Sequence, residues 1–193
     1  GGGFSYGSLG MSHHATEDLA ILRALPNISV VAPCTANEAG EAITAMIQEG
    51  GVAYLRLDKT VAQDNDFVSS FAIGKARRYK EGSDITLIAT GGILDDVNIA
   101  AVELEKLGID ARVLGMHSIK PIDIDEIIDA VTNTGGIVTI EEHNKDGGLG
   151  SAVSEVCMDF GVMPKKFLRI GLENMYSSIV GSQQYLRSRY HMD

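Results

Sequence analysis

Two adjacent histidines, His13 and His14, stand at the end of a glycine-rich stretch, Tyr6-Gly7-Ser8-Leu9-Gly10-Met11-Ser12, just ahead of a segment with helical periodicity. An imidazole titrates at about pH 6.5 and a helix N-terminus favours its neutral form, so a loop histidine there can act as general acid or base. The amides of that helix start can also hold an anion. The alternative is that both rings are surface or capping residues. They are not a metal pair, because helical ligands sit three or four residues apart.

Three other polar groupings have chemical potential. Gly147-Gly148-Leu149-Gly150 precedes a helical stretch but lacks the Gly-x-Gly-x-x-Gly spacing of a dinucleotide loop, so it reads as a tight strand-to-helix turn without a ligand. Glu141-Glu142-His143 contains ligand-type side chains, but adjacent positions on an ending strand point in different directions. A polar loop at the sheet's edge is expected there. Arg187-Ser188-Arg189-Tyr190-His191 reads as a helix end, where basic side chains oppose the dipole favourably.

These residues need a scaffold, and the sequence alternates β-branched runs with amphipathic segments throughout. That pattern predicts an α/β fold, with parallel or mixed sheets covered by helices. Strands are expected over 28–32, 52–57, 85–89, 111–116, 136–141 and 167–170, and helices over 16–25, 36–48, 94–107, 124–132, 151–160 and 178–189. Most of the strands are continuous apolar runs, implying burial on both faces. Thr35 with Glu38 three residues on predicts a capping box, and Gly108 a left-handed helix stop.

Composition narrows the function classes. Apolar residues make up 45% and charged residues 22%, an ordinary globular mixture, and the net charge of −10 without basic runs excludes nucleic acid and anionic membrane as main partners. No apolar run approaches the ~20 residues of a membrane span and no signal segment is visible, so a cytoplasmic setting is expected. Cys34 and Cys157 form no Cys-x-x-Cys pair and are expected as buried thiols. Polar, aperiodic residues over 58–70 suggest a linker, dividing the chain into residues 1–60, a linker at 61–72 and residues 73–193. The second part can close a core alone. The first looks like the tail end of a larger domain.

Gly10-Met11-Ser12-His13-His14-x-x-Glu17-Asp18, followed by Arg23-Ala24-Leu25-Pro26-Asn27 and Val31-Ala32-Pro33, closely resembles the pyrimidine-binding domain of transketolases. There the pattern is Gly-Pro-Thr-His-Gln-x-x-Glu, then an Arg-x-Leu-Pro-Asn turn and a strand ending in Ala-Pro. Gly82-Ser83-Asp84-Ile85-Thr86, Ile119-Lys120-Pro121-Ile122-Asp123, Glu141-Glu142-His143 and Gly147-Gly148-Leu149-Gly150 resemble the family's C-terminal domain.

The resemblance implies a transketolase C-terminal-domain-like fold preceded by part of a thiamine diphosphate-binding domain, and transfer of a two-carbon ketol unit from a ketose to an aldose. It implies that His13 is the catalytic histidine of the active-site channel, that Arg56 grips the substrate phosphate, and that His14 is a possible second substrate contact. A guanidinium suits a bidentate phosphate contact, although an ordinary ion pair would also account for it. Thiamine diphosphate and Mg2+ are expected to be bound mainly by residues absent from this chain, which would then be inactive alone. A homodimer or an N-terminal transketolase subunit is the expected partner.

Ser8-Leu9 replaces the Glu-Asp that sugar-phosphate transketolases carry before this motif, so the donor's hydroxyl pattern is expected to differ from that of xylulose 5-phosphate. Two rival readings are the β subunit of a 2-oxoacid dehydrogenase or a deoxyxylulose phosphate synthase, and a non-catalytic assembly module.

Overall fold

A computed structural model describes residues 1–65 and 68–193. Its strands are β1 (Ile28–Val31), β2 (Val52–Leu55), β3 (Arg77–Lys80), β4 (Ile85–Thr90), β5 (Ala111–Gly115), β6 (Ser118–Lys120), β7 (Ile137–Asn144) and β8 (Phe167–Leu172). Its α-helices are α1 (Asp18–Arg23), α2 (Ala36–Glu49), α3 (Leu94–Lys106), α4 (Ile124–Asn133), α5 (Leu149–Asp159) and α6 (Gln183–Arg189).

The larger sheet has the order β3-β5-β4-β7-β8, parallel except for β3, which runs antiparallel to β5. The smaller has the order β2-β1-β6, with β1 and β2 parallel and β6 antiparallel to β1. Strand periodicity divides the interior into two cores. In β4, Leu87 and Ala89 face a cluster with Leu94, Val97 and Ala101 of α3, whereas Ile88 faces one with Ile127 of α4 and Val153 of α5. Val30 of β1 and Ala32 just after it join the second cluster. Each face of the larger sheet is thus closed by helix, as its apolar runs require.

The expected elements are present with altered ends. The helix foreseen over 16–25 shortens to α1, because the Thr16 carbonyl accepts the Asn144 amide at 2.8 Å and Ala15 bridges to Gly3, which occupies the backbone outside a helix. The helix foreseen over 178–189 begins only at Gln183, where the Ser182 hydroxyl accepts the Tyr185 amide at 3.2 Å. Strands β3 and β6 were not foreseen: Arg77-Arg78-Tyr79-Lys80 is mostly polar, and Ser118-Ile119-Lys120 is too short to show a period. The described residues of 61–72 carry no helix or strand, while Asp66 and Phe67 lie outside the described residues.

At α2 the Thr35 hydroxyl accepts the Glu38 amide at 3.1 Å as expected, but the Glu38 carboxylate reaches back one residue further, to the Cys34 amide at 2.6 Å. Gly108, at φ +78°, closes α3 in a conformation that a side chain would strain. Cys34 and Cys157 are buried free thiols.

Candidate functional site

The backbones of Gly3 and Ala15 exchange two hydrogen bonds, at 2.7 and 3.1 Å, and so pinch off a loop carrying both histidines. Within it the chain makes two short 3-10 turns, Gly7–Leu9 and Met11–His13. The His13 ring is exposed, with Nδ1 at 3.1 Å from the Ser12 hydroxyl. His14 turns inward. Its Nε2 lies 3.2 Å from the Gly7 carbonyl, which fixes that nitrogen as the donor, and its ring packs edge-to-face against Phe4 at 5.0 Å. Its Nδ1 is buried without a hydrogen-bond partner. The structure therefore brings the two histidines together in one loop but gives them different surroundings.

Arg56 follows β2, and its side chain is 0% exposed. Nη2 donates to the Ala15 carbonyl at 3.1 Å and to the Glu142 carbonyl at 2.8 Å, while Nε lies 3.4 Å from Asp18 and 3.6 Å from Asp58. Burial alone would lower the guanidinium's pKa, but the charges of Asp58, Asp18 and Glu142 outweigh it, so the group stays firmly cationic. Asp58 also accepts the Gly92 amide at 2.9 Å, and Asp18 accepts the Tyr54 hydroxyl at 2.8 Å. Arg56 therefore sits beneath the histidine loop, tying its closing end to β7.

The expectation of a polar edge loop at Glu141-Glu142-His143 is overturned. Strand β7 continues through Asn144 between β4 and β8, and the three side chains are 0–1% exposed. Strand alternation sends successive residues to opposite faces. Glu141 accepts the Leu149 amide at 2.6 Å and the Gly150 amide at 2.9 Å, and thereby caps α5 from the strand. Burial pushes its pKa up to about 7 against these amides and the charges of Arg56 and Arg169. The glycine-rich segment is thus the tight turn expected, with Gly148 at the helix cap.

Glu142, on the opposite face, accepts hydrogen bonds from the Phe4 amide, from Gln183 Nε2 at 3.0 Å and from Arg187 Nε. Arg187 continues to Asp96 at 2.8 Å and to the Gly92 carbonyl at 3.2 Å, so this basic residue of the final helix turn is a buried bridge as well. His143 donates from Nδ1 to the Asn144 carbonyl at 2.7 Å and accepts the Ala20 amide at Nε2, at 3.4 Å. Burial, with the Arg56 charge, lowers its pKa to about 4, so it is neutral at neutral pH. Sequence reasoning missed Asp18, Asp58, Glu142 and Arg187 as a set. The readable signal was a run of three ionisable residues continuing an apolar strand, which has to be paired if the strand remains inside the sheet.

A loop held from below by buried charges, with one imidazole projecting outward, can exchange protons with a hydroxylated ligand laid across it. Among the described residues no grouping of three His, Cys, Asp or Glu side chains could hold a metal ion. Two cavities lie away from the loop, about 670 Å³ along α2 and about 250 Å³ beside β8, and neither is lined by His13, His14 or Arg56. No described helix is long and apolar enough to cross a membrane.

Two sheets carrying parallel strands, covered by helices, with a histidine loop pinned between them, define the class. The model of the transketolase C-terminal domain matches residues 74–189 and that of the transketolase pyrimidine-binding domain matches residues 1–63; the chain belongs to the transketolase family. It is 35% identical, over 100% of its own length and 61% of the relative's, to one of the subunits of the apulose-4-phosphate transketolase of Phocaeicola vulgatus. It is 36% identical, over 97% of its length and 30% of the relative's, to 1-deoxy-D-xylulose-5-phosphate synthase 1 of Geobacter metallireducens. A solved split-gene transketolase, described as an inactive beta4 tetramer, superposes with a TM-score of 0.83 at 35% identity, covering 95% of this chain and 59% of that one. The chain thus spans about three fifths of the length of its transketolase-subunit relative.

Proposed function

We propose that this chain forms the C-terminal portion of a thiamine diphosphate-dependent transketolase-type enzyme that transfers a two-carbon ketol unit from a ketose or ketose phosphate to an aldose. The observation that carries this reading is the exposed His13 ring, in a loop whose two ends are bonded together and tied to buried Arg56 and Glu142. His13 binds and exchanges protons with substrate hydroxyls. His14, half-buried and hydrogen-bonded to the loop backbone, orients the turn and forms the inner wall of the substrate's approach. Arg56 acts in this chain by organising that floor: both Nη2 bonds go to protein carbonyls, and a phosphate could reach the guanidinium only if the loop above it opened.

Thiamine diphosphate supplies the carbanion chemistry of the transfer, and this chain supplies the histidine loop that faces the substrate. Cofactor and metal are held mainly by a partner, either an N-terminal transketolase subunit or a second copy in a dimer, in the cytoplasm. The chain alone is inactive. Leu9, 55% exposed where sugar-phosphate transketolases carry an acidic residue, offers a donor hydroxyl no acceptor, which favours a donor lacking that hydroxyl pattern.

The experiment is reconstitution of the chain with its completing subunit and cofactor, assayed against a panel of ketose phosphates and pyruvate. Turnover of a ketose, lost by at least a hundredfold in His13→Ala, is expected. Turnover of pyruvate alone would instead support the synthase reading that the 36% identical relative brings. Wild-type turnover in the variant would end the role given to His13.

A further inference from the structure

A buried carboxylate that the proposed chemistry does not use joins the far end of the chain to the histidine loop. Glu142 is 1% exposed and gathers three donors from two separate segments: the Phe4 amide inside the loop, and Gln183 at the start of α6 with Arg187 near its end. Its own carbonyl accepts Arg56 at 2.8 Å, and Arg56 also holds Ala15, the residue that closes the loop. Both ends of the loop therefore converge on one residue of β7.

The fit is tight on the loop's side too. Gly3 has φ +51°, and a Cβ there would lie 2.7 Å from Glu142 Cγ, closer than real carbon contacts allow. Only a bare backbone can approach the carboxylate in this way. Burying an ion pair of this kind contributes little net stability, because desolvation offsets the attraction, whereas removing one partner strands a buried charge and is strongly destabilising. Phe4 meanwhile packs on both His14, at 5.0 Å, and Tyr190, at 5.6 Å, so displacing its amide displaces the ring against which His14 rests.

We infer that Glu142 is a positioning residue: bridged to Arg187 of α6, it latches Gly3 and Phe4 and so holds the His13–His14 loop in its working conformation. The C-terminal part of the chain, on this inference, sets the geometry of a loop far from it in sequence. The latch itself rests on the structure, and only its catalytic consequence rests on the transketolase reading.

Hydrogen exchange on the full chain tests the latch. Glu142→Gln keeps the size but replaces one accepting oxygen with a donor, and Gly3→Ala disturbs the same contact from the loop side. Each is expected to speed exchange of the amides between residues 3 and 15 by tenfold or more, while strands β4 and β5 stay protected. The double variant should exchange no faster than the faster single one, since the two changes break one contact. Unchanged loop protection in a folded Glu142→Gln chain, or additive effects in the double variant, would overturn the inference. In the reconstituted enzyme, Glu142→Gln should lower kcat about tenfold with a smaller change in KM, and add no loss to His13→Ala. Accelerated exchange with unchanged kcat would overturn the positioning role of Glu142 in turnover, while the role of His13 stands or falls with His13→Ala.

Discussion

Replacing Glu141 separates a buried cap from a pH-dependent charge. The carboxylate accepts two amides at the start of α5, at 2.6 and 2.9 Å, with no exposure to water. Leaving a buried amide unsatisfied costs about 1–3 kcal/mol, so Glu141→Ala, which strands two, should cost about 2–6 kcal/mol. Glu141→Gln keeps one acceptor and should cost about 1–2 kcal/mol when the native group is protonated. Burial pushes the carboxyl up to about 7 in the folded chain, from an ordinary 4.5. Because the folded value is the higher, its stabilising contribution is complete below pH 4.5 and is lost as pH rises through 7. Between pH 5 and 8.5 that loss amounts to about 2–3 kcal/mol in the native chain and is absent from the Gln variant. Urea unfolding followed by far-UV circular dichroism, suited to a chain without tryptophan, should show the stability gap between native and Gln chains shrinking or reversing over that range. A gap that stays constant from pH 5 to 8.5 would refute burial as the cause of the shift.

Two further outcomes follow from the same structure. His117, lowered to about 3 by burial and the Arg77 charge, and His143, lowered to about 4, both fold neutral. Their folded values lie below the ordinary 6.5, so their contribution is present above pH 6.5 and lost on acidification towards 4 and 3, opposite in sign to that of Glu141. His117→Phe, which preserves stacking on Phe71 at 4.2 Å, should unfold at lower pH than the native chain, as acid titration by circular dichroism will show. At the start of α2, Thr35→Ala removes the acceptor for Glu38 and a 2.8 Å bond to Asp64, and should cost about 1–2 kcal/mol in urea unfolding.

What the sequence determined by itself is the local part of this protein. Apolar period and cap chemistry are written in neighbouring residues, so the α/β class, the six main helices and strands such as β4 and β5 could be read directly. The motif order likewise led to the histidine loop. Charges at a distance could not be read this way. Whether Glu142 was an edge residue or a buried latch depended on β7 remaining inside the sheet, which β8 and α6 decide from 25 or more residues downstream. Arg56 carried the same ambiguity, since a guanidinium that can grip a phosphate is equally able to bind carbonyls and carboxylates. Tertiary structure adds the partners the guanidinium has in this chain, the Ala15 and Glu142 carbonyls, because a buried charge has to find partners wherever in the chain they occur.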